Sequence, residues 1–134
     1  MSVEGFVSQK PYDVRDVKFA WSFTSAGKTK EVKDKLHHVA LIKFHEGVSR
    51  EIQEEIFSRY QTLAEDCGGV AAGILFFKVD WNRDLRKGVQ LVERAIFEDN
   101  DALQRFRAHP KHAELVGMLR HCADWWVGDT VAPL

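Results

Sequence analysis

Two histidine pairs mark this chain, His37-His38 and His109-x-x-His112. Imidazole titrates closest to neutral pH, so it is the side chain best suited to take and return a proton. Pro110 suits the first position of a helix. His109 then falls at the cap and His112 in the first turn, where the positive end of the helix dipole disfavours an imidazolium. A neutral His112 can act as a general base; alternatively His109 caps the helix and His112 only packs. His38 lies in an apolar run, with Ala40, Ile42 and Phe44 on its side of a strand. It is either a pocket group or a core histidine held by a hydrogen bond. Glu93 alternates with Leu91, Ala95 and Phe97. If Phe97 points to the core, so does Glu93, and a carboxylate there must be paired or protonated. Beside His38 or His112 it forms an acid–base pair fit for proton transfer next to a carbonyl. A bulge or a one-residue slip would instead turn it outward. Tyr60 lies on the inward stripe of a helix, as a pocket group or as a core tyrosine with its hydroxyl bonded.

His38, His112 and Glu93 would also make a His/His/carboxylate metal set. Pro110 spoils the regular turn between His109 and His112, however, and neither a metal nor a cofactor is assigned. Cys67 and Cys122 lie far apart in no ligand-like spacing. They read as free thiols of a reducing cytoplasm, which is the expected location.

These candidates must be positioned by regular elements. Residues 36–44, LHHVALIKF, read as a strand apolar on both faces, and so covered on both. Ser49 is a helix N-cap with Gln53 or Glu54 near the reach-back position. Ile52, Ile56, Tyr60 and Leu63 form one stripe of a helix over 50–67, closed by Gly68-Gly69. Residues 72–79 read as a second strand, 80–88 as a polar connection and 89–97 as a third strand. Asp99 or Asn100 caps a short helix that buries Leu103 and Phe106. A helix from Pro110 to about Cys122 and a strand over 124–131 follow. In that last strand Trp125 and Trp126 face opposite ways, one to the pocket or core and one to a subunit seam. Trp81, in the polar connection, reads either as a pocket lid or, as is commoner for such aromatics, as packing. The order β-α-β-β-α-β predicts an α+β, ferredoxin-like fold: a four-stranded antiparallel sheet with helices on one face. Residues 1–35 read as an N-terminal extension with one strand over 17–23, a turn at 25–28 and disorder over 1–12. The domain itself is residues 36–132.

The chain has 134 residues, one domain's worth, of which 45% are hydrophobic and 29% charged. Nineteen basic residues against twenty acidic ones give a net charge of -1. That balance argues against a nucleic-acid partner and a polybasic membrane anchor. No apolar run reaches bilayer-spanning length, and the first twenty residues lack the apolar core of a secretory signal. Two helices cover only one sheet face. The other would be a large apolar patch, which marks an interface, and a homodimer is expected.

The ordered set His38-Val-Ala-Leu-Ile-Lys-Phe44, Gly47-Val-Ser49, Ile96-Phe97-Glu98-Asp99 and Phe106-Arg-Ala-His109-Pro-Lys-His112, with a Trp- and Val-rich final strand, resembles the stress-responsive dimeric α/β-barrel family. The likeness covers residues 36–132. It implies two sheets paired face to face into a closed barrel, with a pocket between sheet and helices in each protomer. Activities in the family are diverse. Some members are stress-associated proteins without settled chemistry; others are cofactor-free enzymes such as a plant polyketide (olivetolic acid) cyclase, a hydroxynitrile lyase and lactone isomerases. By resemblance to the cyclase, His38 and Tyr60 line the pocket and His112 is the general base. The chain departs from the cyclase at Phe106, where the cyclase has a Tyr that pairs with its base, and at Leu91, where it has a further pocket His. The expected function is cofactor-independent lyase, isomerase or cyclase chemistry on a small apolar or aromatic carbonyl compound, with His112, His38, Tyr60 and Glu93 as the working groups. The alternatives are a non-catalytic stress-associated or binding protein with a filled pocket, and an oxygen-using monooxygenase.

Overall fold

A computed structural model describes residues 33–134. The expected strand over 17–23, the turn at 25–28 and the disorder over 1–12 lie outside the described residues.

The first strand, β1 (Lys35–Phe44), alternates strictly from His38 onward between buried and exposed residues. Ser49 caps helix α1 (Arg50–Gln61), its hydroxyl accepting from the Ile52 N–H at 3.2 Å. Gln53 does not reach back to the cap residue; its amide donates to the Val48 carbonyl at 3.1 Å. The single helix expected over 50–67 breaks at Thr62 (ψ 2°) and resumes as the short α2 (Leu63–Asp66). A 3-10 turn (Gly69–Ala72) lies between two left-handed glycines, Gly68 and Gly73. It takes up residues that the sequence assigns to the second strand, so β2 runs Ile74–Trp81. β3 (Leu91–Phe97) starts two residues later than expected; just ahead of it the Gln90 N–H donates to the Ile42 carbonyl of β1. Asp99 caps α3 (Asn100–Ala108) through the Ala102 N–H at 2.9 Å. α4 (Pro110–Cys122) opens with proline at its first position and leads directly into β4 (Ala123–Ala132).

The four strands form one antiparallel sheet in the order β2-β3-β1-β4. This is the α+β, ferredoxin-like arrangement that the element order predicts. The register puts His38 between Ala95 of β3 and Asp129 of β4, and Ala40 opposite Glu93. A bulge between Ile74 and Phe76 interrupts β2 but leaves β3 regular. Glu93 therefore stays on the side of Leu91, Ala95 and Phe97, and all four are buried beneath the helices. Ile42, Ile56, Leu91 and Phe97 are the largest fully enclosed side chains, so the core lies between sheet and helices.

Among the described residues helices cover only that face of β1; the cover expected on its other face is that of a second copy. Val39, Leu41, Phe76 and Trp126 lie on the other face and are each more than one-third exposed. Trp81 is no lid. It closes β2, stacks with Phe57 at 4.8 Å and lies under the Arg50 guanidinium at 4.5 Å. Among the described residues no helix is long and apolar enough to cross a membrane.

Gly73 joins the 3-10 turn to β2 at φ +87°, and a Cβ there would meet the Ala102 Cβ at 2.7 Å. Strain and clash act together, so Gly73→Ala should destabilise the fold by about 1–3 kcal/mol. Urea denaturation checks this; an unchanged midpoint would mean that the turn relaxes freely.

Candidate active site

The site is built on the helix-covered face of the sheet. His38 projects from β1, Glu93 from β3, and Tyr60 comes down from α1, which buries it with Ile56. The Tyr60 hydroxyl donates to Glu93 Oε1 at 2.5 Å. His38 Nε2 stands 3.5 Å from Glu93 Oε2, and its Nδ1 is 2.6 Å from Asp129 Oδ1. Asp129 is the acceptor that fixes Nδ1 as the protonated nitrogen. A side-chain chain thus runs Asp129–His38–Glu93–Tyr60 across three strands and a helix. Its inner members are less than one-tenth exposed, whereas the Asp129 side chain is about one-third exposed at 31%.

Burial pushes the Glu93 carboxyl above its ordinary range, against the pull of the His38 charge and the Tyr60 hydrogen bond, while Asp129 pushes it further up. Burial, then the Glu93 charge, also raises Tyr60, so the phenol keeps its proton. Glu93 Oε2 is enclosed and lacks a partner with hydrogen-bond geometry. One proton between His38 Nε2 and Oε2 serves either as a neutral pair or as an ion pair, with the same total charge.

His112 faces this row from the first turn of α4. His109 takes the cap role, its Nδ1 accepting from the Lys111 N–H at 3.1 Å. His112 packs against the edge of Phe106 at 4.7 Å between ring centroids. Burial first, then the Arg107 and His38 charges, depress its pKa to about 4. The imidazole is therefore neutral at pH 7. The neutrality expected from the helix dipole is present, with burial as its leading cause.

A cavity of about 420 Å³ lies between sheet and helices. His38, Tyr60, Glu93 and His112 all line it, so the structure gathers the four residues singled out in the sequence around one space. Trp125 and Phe106 supply aromatic wall, and Trp126 lies on the opposite sheet face. Leu91 is fully buried in the core and outside the lining. Among the described residues no three His, Cys, Asp or Glu side chains are grouped to hold a metal ion. Cys67 and Cys122 carry free thiols, both raised by burial.

Three site residues escape the sequence reading: Asp129, Arg107 and Arg120. Alternation along β4 places Asp129 with Trp125 and Val127, but only the β1–β4 register shows it opposite His38. Arg107 and Arg120 line the cavity from α3 and α4. Nothing in their local sequence distinguishes them from the other basic residues near helix ends.

The fold, its pocket and the HPxH helix start define a class. The profile of the stress responsive A/B barrel domain family matches residues 36–132, and the chain belongs to that family. An uncharacterized protein of Streptomyces coelicolor, SCO4036, is 26% identical over 95 residues, covering 70% of this chain and 96% of its own. A dimeric ferredoxin-like protein of unknown function from Thermobifida fusca superposes with a TM-score of 0.64 at 14% identity, over 80% of this chain and 97% of its own. SnoaB, a cofactor-independent oxygenase from Streptomyces nogalater, gives a TM-score of 0.59 at 22% identity, over 75% and 95%.

The Tyr60–Glu93 contact should behave as a buried bonded pair. Tyr60→Phe should cost about 1–3 kcal/mol, because it strands a carboxyl oxygen. In a Glu93→Leu background the same change should cost about 0.5 kcal/mol or less. A double-mutant cycle read by chemical denaturation measures the difference, and equal costs would show that the bond contributes nothing.

Proposed function

We propose that the chain is a cofactor-independent acid–base enzyme on a small apolar or aromatic carbonyl compound, working as a homodimer with one pocket per protomer. The observation that carries this reading is the open cavity with a neutral imidazole on one wall and the His38–Glu93–Tyr60 row on the other. His112 takes the proton from the carbon next to the carbonyl. The electron pair of that C–H bond moves onto the carbonyl oxygen. The opposite wall holds the oxygen, with His38 donating the proton it shares with Glu93 and Tyr60 positioning the carboxyl. Return of the proton from His112 to another carbon gives isomerisation; expulsion of a β-leaving group, which departs with the electron pair of its bond and takes the proton from His112, gives lyase chemistry, and attack of the enolate carbon on a second carbonyl, whose oxygen takes that proton, gives cyclase chemistry. Phe106 offers no hydroxyl to orient His112, so packing sets the ring's position.

The alternative of a filled pocket is disfavoured by the volume that remains beside Phe106 and Trp125. The oxygenase from Streptomyces nogalater supports the view that this fold can carry chemistry without a cofactor; at 22% identity that likeness extends to the fold and not to the reaction.

The test is deuterium uptake at the α-carbons of phenylacetone in D2O, followed by NMR. His112→Gln should slow protein-dependent exchange by about 10²–10⁴-fold. Because the base form is the active one, the wild-type rate should rise with pH through about 4 and stay level above it. Exchange that is indifferent to His112 would remove the base from the proposal.

The dimer is supported by the exposed apolar face and by the dimeric Thermobifida fusca protein of like fold. A second copy packed sheet to sheet would cover Leu41 and Trp126. Leu41→Glu with Trp126→Glu should turn a dimer into a folded monomer in light scattering and circular dichroism. A wild-type monomer at micromolar concentration would refute the assembly.

A further inference from the structure

The cavity wall is not neutral. Two permanent cations, Arg107 and Arg120, line it, and both residues are exposed enough to meet a ligand at the mouth. Against them stands the Asp129 carboxylate, which is already committed to His38 at 2.6 Å. Glu93 faces His38 at 3.5 Å, and with one proton between them the pair adds no net charge. The wall therefore carries a positive excess over an otherwise apolar lining of Leu103, Val116 and Trp125. An anion is the complementary occupant.

The position of Arg107 narrows its chemistry. The guanidinium Nη2 lies 3.7 Å from Asp129 Oδ2, beyond hydrogen-bond length, so its donors are not saturated by that contact. The other oxygen of the same carboxylate holds His38. Arg107 is also close enough to His112 to help depress its pKa. A ligand group bound by Arg107 would thus lie directly beside the carbonyl that His38 and His112 address. Arginine binds carboxylates with a planar fork of donors.

We propose that the pocket selects an apolar or aromatic oxo acid, with its carboxylate on Arg107 and its neighbouring carbonyl between His38 and His112. Arg120 adds attraction from the far end of α4. This rests on the pocket reading above and names the substrate class for it. The charge is placed where it serves the reaction: the enolate formed from an oxo acid carries a second negative charge, which the same arginine attracts.

A matched pair of probes tests the idea. Phenylpyruvate and phenylacetone differ by a carboxylate in place of a methyl group. In calorimetric titration of the full chain, phenylpyruvate should bind about tenfold or more tightly than phenylacetone. Arg107→Gln should erase most of that preference and leave the ketone unchanged, and Arg120→Gln should reduce it less. Raising salt from about 0.05 to 0.5 M should weaken only the acid. Equal affinities, or a preference that survives in Arg107→Gln, would overturn the oxo-acid assignment while leaving the pocket in place. Failure of both probes to bind would overturn the pocket reading together with this one.

Discussion

The buried carboxyl of Glu93 is the constraint on which the site depends. An isolated carboxylate at 3% exposure is costly, by several kcal/mol in a folded protein. The chain meets that cost by keeping the group bonded. Tyr60 donates to one oxygen, the His38 ring faces the other, and Asp129 holds the ring. Each partner comes from a different element, so the arrangement ties α1, β3, β1 and β4 together. It also penalises wrong pairings. A one-residue slip of β3 would send Glu93 to the open face and put Arg94 against the core.

The two walls of the cavity differ in kind, and the difference follows from position. The sheet floor holds a proton-rich row whose outer end reaches solvent at Asp129. The helix wall holds a half-buried imidazole whose charged form is opposed by burial, Arg107 and His38. In the proposed reaction the two walls take opposite roles, the row giving a proton and His112 accepting one. The apolar lining strengthens this separation, because charge is screened less where water is scarce.

The sheet's other face follows the simpler rule of apolar burial. Among the described residues no helix covers Val39, Leu41 and Trp126, which stay more than one-third exposed. Helices and sheet therefore share out β1's two sets of side chains. One set builds the core and the site. The other is left for whatever covers the outside.

Much of this was legible in the residues. Alternation along 36–44 and 91–97 assigned His38 and Glu93 to the face of Phe44 and Phe97. The HPxH run placed a neutral imidazole in the first turn of a helix. These are local periodicities, set by backbone geometry over a few residues. What the sequence did not determine depends on register and on distance. The pairing of His38 with Asp129 across 91 positions needs the β1–β4 ladder. The 3-10 turn ahead of β2 follows from two left-handed glycines whose effect is not visible in periodicity, and the placement of Trp81 on the helix-covered face follows from packing with Phe57 and Arg50. Arg107 and Arg120 become pocket residues only once α3 and α4 lie on the sheet. Local pattern settles which face a side chain takes; only the assembled sheet and helices decide which other side chains it meets there.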